Sequence, residues 1–248
     1  MTEPLLQLSE LAKRYGGLVV TDNLSLEIAH GEVHALIGPN GAGKTTLISQ
    51  ISGEIAPDAG RILLRGRPLA HLGAAARTRL GLARTFQIVQ LLANATALYN
   101  VAIAVAARRR SFNIWRKAGS ADIDREARGY LELAAIGDRG EVMAANLSHG
   151  EQKQLELAVA LATEPELLLL DEPLAGLGIA ESQRMIEILA TLKGRLTMLL
   201  VEHDLEAVYA LADRISVLVN GRLIATGRAD EIRGNSEVRS AYLGEDQA

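Results

Sequence analysis

The chain contains no cysteine, which excludes disulfide scaffolding and cysteine-ligated zinc or iron–sulfur centres and fits a reducing compartment. Aromatic residues are scarce: two Phe, one Trp and five Tyr in 248 residues leave no extended platform on which bases could stack. Positive charge is not in excess either. Lys plus Arg number 26 against 30 Asp plus Glu, a net charge of −4, so the chain as a whole has no footprint for nucleic acid and only a local basic patch remains for that role. Long apolar runs are missing; the longest, Val101 to Ala107, falls far short of the roughly 20 residues a membrane-spanning helix needs. The opening MTEPLLQLSELAKRYGG has no basic stretch leading into an apolar core, so no secretory signal is expected. Any membrane role is then expected to come through partners. What is present is ordinary globular composition, 48% hydrophobic and 23% charged, at a length that α/β folds occupy as one domain.

Leu24 to Ile28 alternates apolar and polar residues and reads as a strand, and after the turn at His30-Gly31 the short β-rich run EVHALIG ends at Gly38. From Lys44 the residues Leu47, Ile48 and Ile51 recur at helical spacing, with Gly53 placed to cap the helix. The order is strand, glycine-rich loop, helix. From Ile88 to Ala162 the chain becomes Ala-rich, charged in its middle and helical in period around Asp124 to Ile136, which predicts a helical insert. Then LLLLD (Leu167 to Asp171), TMLLVEH (Thr197 to His203) and ISVLVN (Ile215 to Asn220) are short apolar runs separated by helical patterns, as in a parallel sheet buried on both faces. Asn220-Gly221 between ISVLVN and RLIAT predicts a hairpin.

GPNGAGKT, Gly38 to Thr45, fits the phosphate-loop pattern G-x-x-x-x-G-K-[ST] in its required context of strand before and helix after. Glycines let backbone N–H groups turn inward around phosphate oxygens, and the helix N-terminus adds partial positive charge. Gly38, Pro39, Asn40, Gly41, Ala42, Gly43, Lys44, Thr45 and Thr46 are therefore the expected nucleotide site, with Lys44 on the β- and γ-phosphates and the Thr45 hydroxyl on Mg²⁺. LLLLDE delivers two adjacent carboxylates at the mouth of a buried strand, where neighbouring side chains are expected to point to opposite sides. Asp171 is the expected Mg²⁺ partner and Glu172 the expected general base for an attacking water. In LSHGEQKQLELAVALA, Ser148 and Glu151 fit a capping box, and Gly150 in the first turn leaves the helix start open to an anion; the two readings are compatible.

Taken together, the phosphate loop, Gln87 in RTFQ, LSHGE ahead of LLLLDEP, and His203 in VEHD resemble the nucleotide-binding subunit of an ATP-binding cassette (ABC) transporter, along essentially the whole chain. RTFQ, LLLLDEPLAGL and the terminal AYLGE (Ala241 to Glu245) resemble, within that family, the larger ATPase subunit of branched-chain amino-acid importers; urea importers share these features. The resemblance implies a RecA-like P-loop NTPase core (1–87 and 163–235) with an antiparallel β subdomain, a helical subdomain at 88–162 and a tail at 236–248. It implies that Ser148 and Gly150 hold the γ-phosphate bound by the phosphate loop of a second, identical or homologous ATPase subunit. Gln87 would join Mg²⁺ and the lytic water to the membrane contact, and His203 would bond the γ-phosphate and water. It also implies transmembrane permease subunits, an indirect extracellular or periplasmic solute-binding protein, and a position at the cytoplasmic face of the cell membrane. Nucleic acid is not an expected partner.

Tyr15, the only aromatic residue before Phe86, stands where the family keeps a ring for adenine to stack on; a half-buried tyrosine of the first sheet is the alternative. Two positions depart from the family pattern: His149 replaces a glycine before Gly150, and Gly178 stands where Asp or Asn is common. RRRSFNIWRK, Arg108 to Lys117, carries five basic residues and no acidic one, and reads as a solvated segment or as a contact for anionic lipid headgroups. An ATPase of lipopolysaccharide export, a soluble ABC ATPase and a regulatory nucleotide-binding module are the rival functions, set against the intact Lys44, Asp171, Glu172 and His203 and the single cassette.

Overall fold

The computed structural model describes residues 3–85, 91–109 and 119–243; Gln87, the run from Arg110 to Lys117, and Gly244 and Glu245 of the terminal AYLGE lie outside them. The chain divides into two compact units: Met1–Arg77 with Leu169–Glu172 and Leu192–Ala248, and Thr78–Leu168 with Pro173–Thr191.

The first unit begins with antiparallel strands. β1 (Leu6–Tyr15) pairs with β2 (Leu18–Ile28). The strand β3 (Val33–Ile37) is buried at every residue and runs into the glycine loop. Helix α1 (Lys44–Ser52) follows and ends at Gly53, whose φ of 86° is the left-handed cap that its position in the sequence predicts. β4 (Ala59–Leu64) then pairs with β1, and the two-residue β5 (Arg67–Pro68) closes a four-stranded sheet in the order β2-β1-β4-β5.

The short helix α2 (Ala74–Thr78) ends where the second unit begins, and in that unit the amides of Glu166 and Leu167 bond to the Gly81 carbonyl beside β6 (Leu82–Arg84). Helices α3 (Ala97–Arg108), α4 (Ala121–Leu133) and α5 (His149–Leu161) pack their small and branched side chains into one cluster, with Val101, Val105, Leu131 and Leu155 fully buried. The periodic stretch predicted from Asp124 to Ile136 is α4, shifted three residues towards the N-terminus.

The three apolar runs form strands where the sequence places them: β7 (Leu167–Asp171), β8 (Thr197–Val201) and β9 (Arg214–Val219), with α6 (Ile179–Leu192) and α7 (Leu205–Leu211) between them. β3 runs parallel to both β8 and β9, and β10 (Arg222–Gly227) returns antiparallel along β9, giving the order β10-β9-β3-β8-β7-β6. Asn220 at φ 47° and Gly221 at φ 79° make the predicted hairpin turn. Every residue of β7 and β8 is buried, which is why these segments read as continuous hydrophobic runs. One polar side chain inside β3 is satisfied: His34, fully buried, bonds Glu32 at 2.6 Å and Ser216 at 2.8 Å. Helices α8 (Ala229–Gly234) and α9 (Ser236–Leu243) close the described chain, and Ile232 and Val238 bury against Ile215 and Val217.

Candidate active site

The loop from Gly38 to Gly43 is fixed by backbone approach. Gly38 has φ 152°, and a Cβ there would lie 2.0 Å from the Leu218 carbonyl oxygen; Gly43 has φ 105°, and a Cβ there would lie 2.4 Å from the Val20 carbonyl oxygen. Only glycine fits either position. The Gly221 N–H donates to the Ala42 carbonyl at 3.0 Å, so the hairpin turn supports the loop from behind. Gly43 starts α1 without a side-chain cap, and no acidic residue occupies the first turn, so the amides and positive end of the helix are not neutralised by a side chain. Buried Lys44 folds its ammonium back over the loop, donating to the carbonyls of Gly38 at 2.6 Å and Pro39 at 3.0 Å. Thr45 is exposed and Thr46 partly so. A left-handed glycine cradle, an uncapped helix start and an ammonium at its mouth suit a polyphosphate.

β7 carries Asp171 as its last residue, buried to 2% exposure. Glu172 does not continue the strand. Its φ is 50°, in the left-handed region, while its N–H donates to the Val201 carbonyl at 2.9 Å. Strand alternation was expected across these two carboxylates; instead the chain leaves the strand at Glu172, and a non-glycine residue in the left-handed region is a feature of functional turns. At the end of β8, Glu202 is fully buried; its Oε2 accepts the His203 N–H at 3.2 Å and lies 3.7 Å from His203 Nδ1, while the imidazole is exposed. Sequence reasoning missed Glu202, although an acid directly before the histidine in VEHD was the available signal. Tyr15 is 49% exposed at the end of β1, with the Lys13 ammonium 5.5 Å from its ring centroid. Among the described residues no cluster of three or more His, Asp or Glu forms a self-sufficient metal cage. The Thr45 hydroxyl and the Asp171 carboxylate are oxygen donors of the kind Mg²⁺ takes, and phosphate oxygens would have to complete its shell.

Ser148 and Gly150 lie in the second unit. Ser148 caps α5 in the predicted capping box: its Oγ accepts the Glu151 N–H at 3.2 Å, and Glu151 Oε2 accepts the Ser148 N–H at 2.8 Å. That amide, and then the Arg139 guanidinium 2.7 Å away, hold the Glu151 carboxyl below its ordinary range. The helix start expected to receive an anion has a carboxylate beside it. The Glu181 carboxylate stands against Gly150, where a Cβ would lie 2.5 Å from Oε1, and its Oε2 accepts the Gly178 N–H at 3.1 Å.

Comparison with known proteins agrees with this geometry. The family model described as ABC transporter matches residues 21–175, and that described as branched-chain amino acid ATP-binding cassette transporter matches residues 222–248. The chain is 40% identical to the high-affinity branched-chain amino acid transport ATP-binding protein LivG of Salmonella typhimurium, across 99% of this chain and 100% of that protein. It is 35% identical to BraF of Pseudomonas aeruginosa, described in the same words, across 99% of this chain and 100% of that protein. Among solved structures, a nucleotide-free ATP-binding cassette from an ABC transporter superposes with a TM-score of 0.86 at 28% identity, over 97% of this chain and 99% of that one. The ADP conformation of an ATP-binding cassette gives 0.87 at 29% identity, over 98% and 100%. With the family model and these relatives spanning the phosphate loop, both carboxylates and the chain's end, the protein belongs to the ABC transporter family, as one of its nucleotide-binding ATPase subunits.

Proposed function

We propose that this ATPase energises permease subunits for uptake of branched-chain amino acids, with two ATPase subunits, identical or homologous, enclosing each ATP between them. The phosphate loop with Lys44 at its mouth carries the catalytic half of the reading, and the C-terminal match at residues 222–248 carries the solute. Urea or another small polar solute is the next reading within the same subgroup.

Lys44 exchanges two carbonyl partners for β- and γ-phosphate oxygens, while the amides from Gly41 to Thr46 and the start of α1 take the remaining charge. Tyr15 offers an exposed ring to the adenine. Mg²⁺, when bound, would supply positive charge against the charge developing on the phosphates, and Thr45, Asp171 and Gln87 are the residues that would hold it. Glu172 takes a proton from the attacking water, and His203, whose backbone N–H is held by Glu202, bonds the γ-phosphate and that water through its imidazole. Ser148 and Gly150 present the start of α5 to the γ-phosphate in the opposite subunit. Among the described residues no helix is long and apolar enough to cross a membrane, so the permease subunits supply the membrane attachment and hold the ATPase at the cytoplasmic face. A solute-binding protein meets only the permeases.

The test is steady-state phosphate release from the complex purified with its membrane subunits. Glu172→Gln should lower turnover by about 10²- to 10⁴-fold while ATP binding persists. Undiminished hydrolysis would remove Glu172 as the base, and a native complex without membrane subunits would remove the transport reading.

A further inference from the structure

The two departures from the family pattern, His149 and Gly178, meet in one structural arrangement inside the second unit. The His149 imidazole lies against Gly176, where a Cβ would be 3.1 Å from Nε2. Glu181, in the first turn of α6, closes the same segment from the other side. One carboxylate oxygen accepts the Gly178 N–H at 3.1 Å, and the other faces Gly150 in the first turn of α5. The bond to Gly178 is the ordinary reach of a third helical residue back to the start of its helix. The contact with Gly150 is not explained by capping α6, and it puts a negative charge at the helix start assigned above to a γ-phosphate.

The neighbouring acid does not present the same obstacle. Glu151 is paired with Arg139 and tied to Ser148. Glu181 has no basic partner within ion-pair distance among the described residues, and the nearby Arg184 spends its guanidinium on the Ala135 carbonyl at 2.8 Å. A carboxylate beside Gly150 and a terminal phosphate docked at the same helix start would repel each other at close range.

We infer that Glu181 is a positioning residue of the shared ATP site: its carboxylate covers Gly150 in the isolated chain and must withdraw before a partner-held triphosphate can dock, so it sets the ATP concentration at which two chains associate. The inference rests on the shared-site reading. Withdrawal frees the Gly178 amide at the same time, so docking at α5 and release of the segment after Glu172 become one event. Gly178 has no side chain to contribute there, and the backbone bond to Glu181 supplies that segment with its link to the phosphate end of α5.

The experiment follows ATP-driven association of the full chain by light scattering in a Glu172→Gln background, with and without Glu181→Gln. The Gln side chain keeps an acceptor for Gly178 and removes only the charge. The expected result is a midpoint ATP concentration about three- to tenfold lower, with the difference shrinking as salt is raised, and with monomer ATP affinity and melting temperature unchanged. An unshifted midpoint overturns the inference and leaves the shared site standing. Failure of the Glu172→Gln chain to associate at saturating ATP, either with itself or with the second ATPase subunit of its native complex, overturns both. If Glu181→Gln does not fold, Glu181→Asp, which draws the carboxylate back by one methylene, gives the same readout.

Discussion

The phosphate loop and the start of α5 are both glycine-bearing helix entrances, yet they are built by opposite means. At Gly38 and Gly43 the obstacles to any side chain are backbone carbonyls of Leu218 and Val20, and both glycines sit at positive φ. At Gly150 the backbone is ordinary and the obstacle is the far end of the Glu181 side chain. The loop's shape is imposed by strands that cannot give way. The entrance to α5 is shaped by side chains that can: Ser148, Glu151, Arg139 and Glu181. On the proposed function, the first construction suits a site that holds the same phosphates through every cycle, and the second suits a surface that meets and releases a partner.

Substitution of the glycines breaks this contrast most directly. Gly38→Ala should destabilise the chain by about 3 kcal/mol or more, because the methyl meets a fixed carbonyl at an unfavourable φ. Gly150→Ala should stay within about 1 kcal/mol, since Glu181 can turn aside. Urea denaturation of the two variants checks this, and equal losses would abolish the distinction. Lys44→Ala, which removes the ammonium folded over the loop, should weaken ATP binding by about 10- to 100-fold, a charged hydrogen bond contributing roughly 1.5–3 kcal/mol, while leaving the loop's shape intact. Titration with a fluorescent ATP analogue reads the affinity.

A smaller effect comes from acid. The Glu151 carboxyl lies below its unfolded value because Ser148 and Arg139 favour its charged form. Its contribution is therefore present above the unfolded pKa and lost as pH falls through the folded one. From pH 7 to pH 3 the wild type should lose several tenths of a kcal/mol more than Glu151→Gln, by the same urea measurement.

Much of the nucleotide side was legible because its physics is local. Continuous apolar runs mark β7 and β8, Asn220-Gly221 demands its turn, and Gly53 ends α1 where the helical period stops. β1 was not legible as a strand from alternation. Glu10 at φ 51° and register shifts after Leu8 and Leu11 interrupt the two-residue period. Glu172 was identified from its place after Asp171, but its left-handed turn was not, since nothing in LLLLDE distinguishes a strand that continues from one that bends. Glu202 was missed although it stands directly before His203 in the sequence, whereas Glu181 was missed because its approach to Gly150, far from it in the chain, is set by tertiary folding.

The carbonyl of Val20 is met by two glycines from distant parts of the chain, Gly43 and Gly221, while Gly221 in turn bonds Ala42 and Asp22. During synthesis the phosphate loop emerges long before the hairpin that braces it. A nascent polypeptide carrying every phosphate-contacting residue would still lack the rear wall of its cradle, so competence to grip nucleotide should arrive only once β10 has left the ribosome, and a truncation just before Asn220 should be as damaging as one through the loop itself.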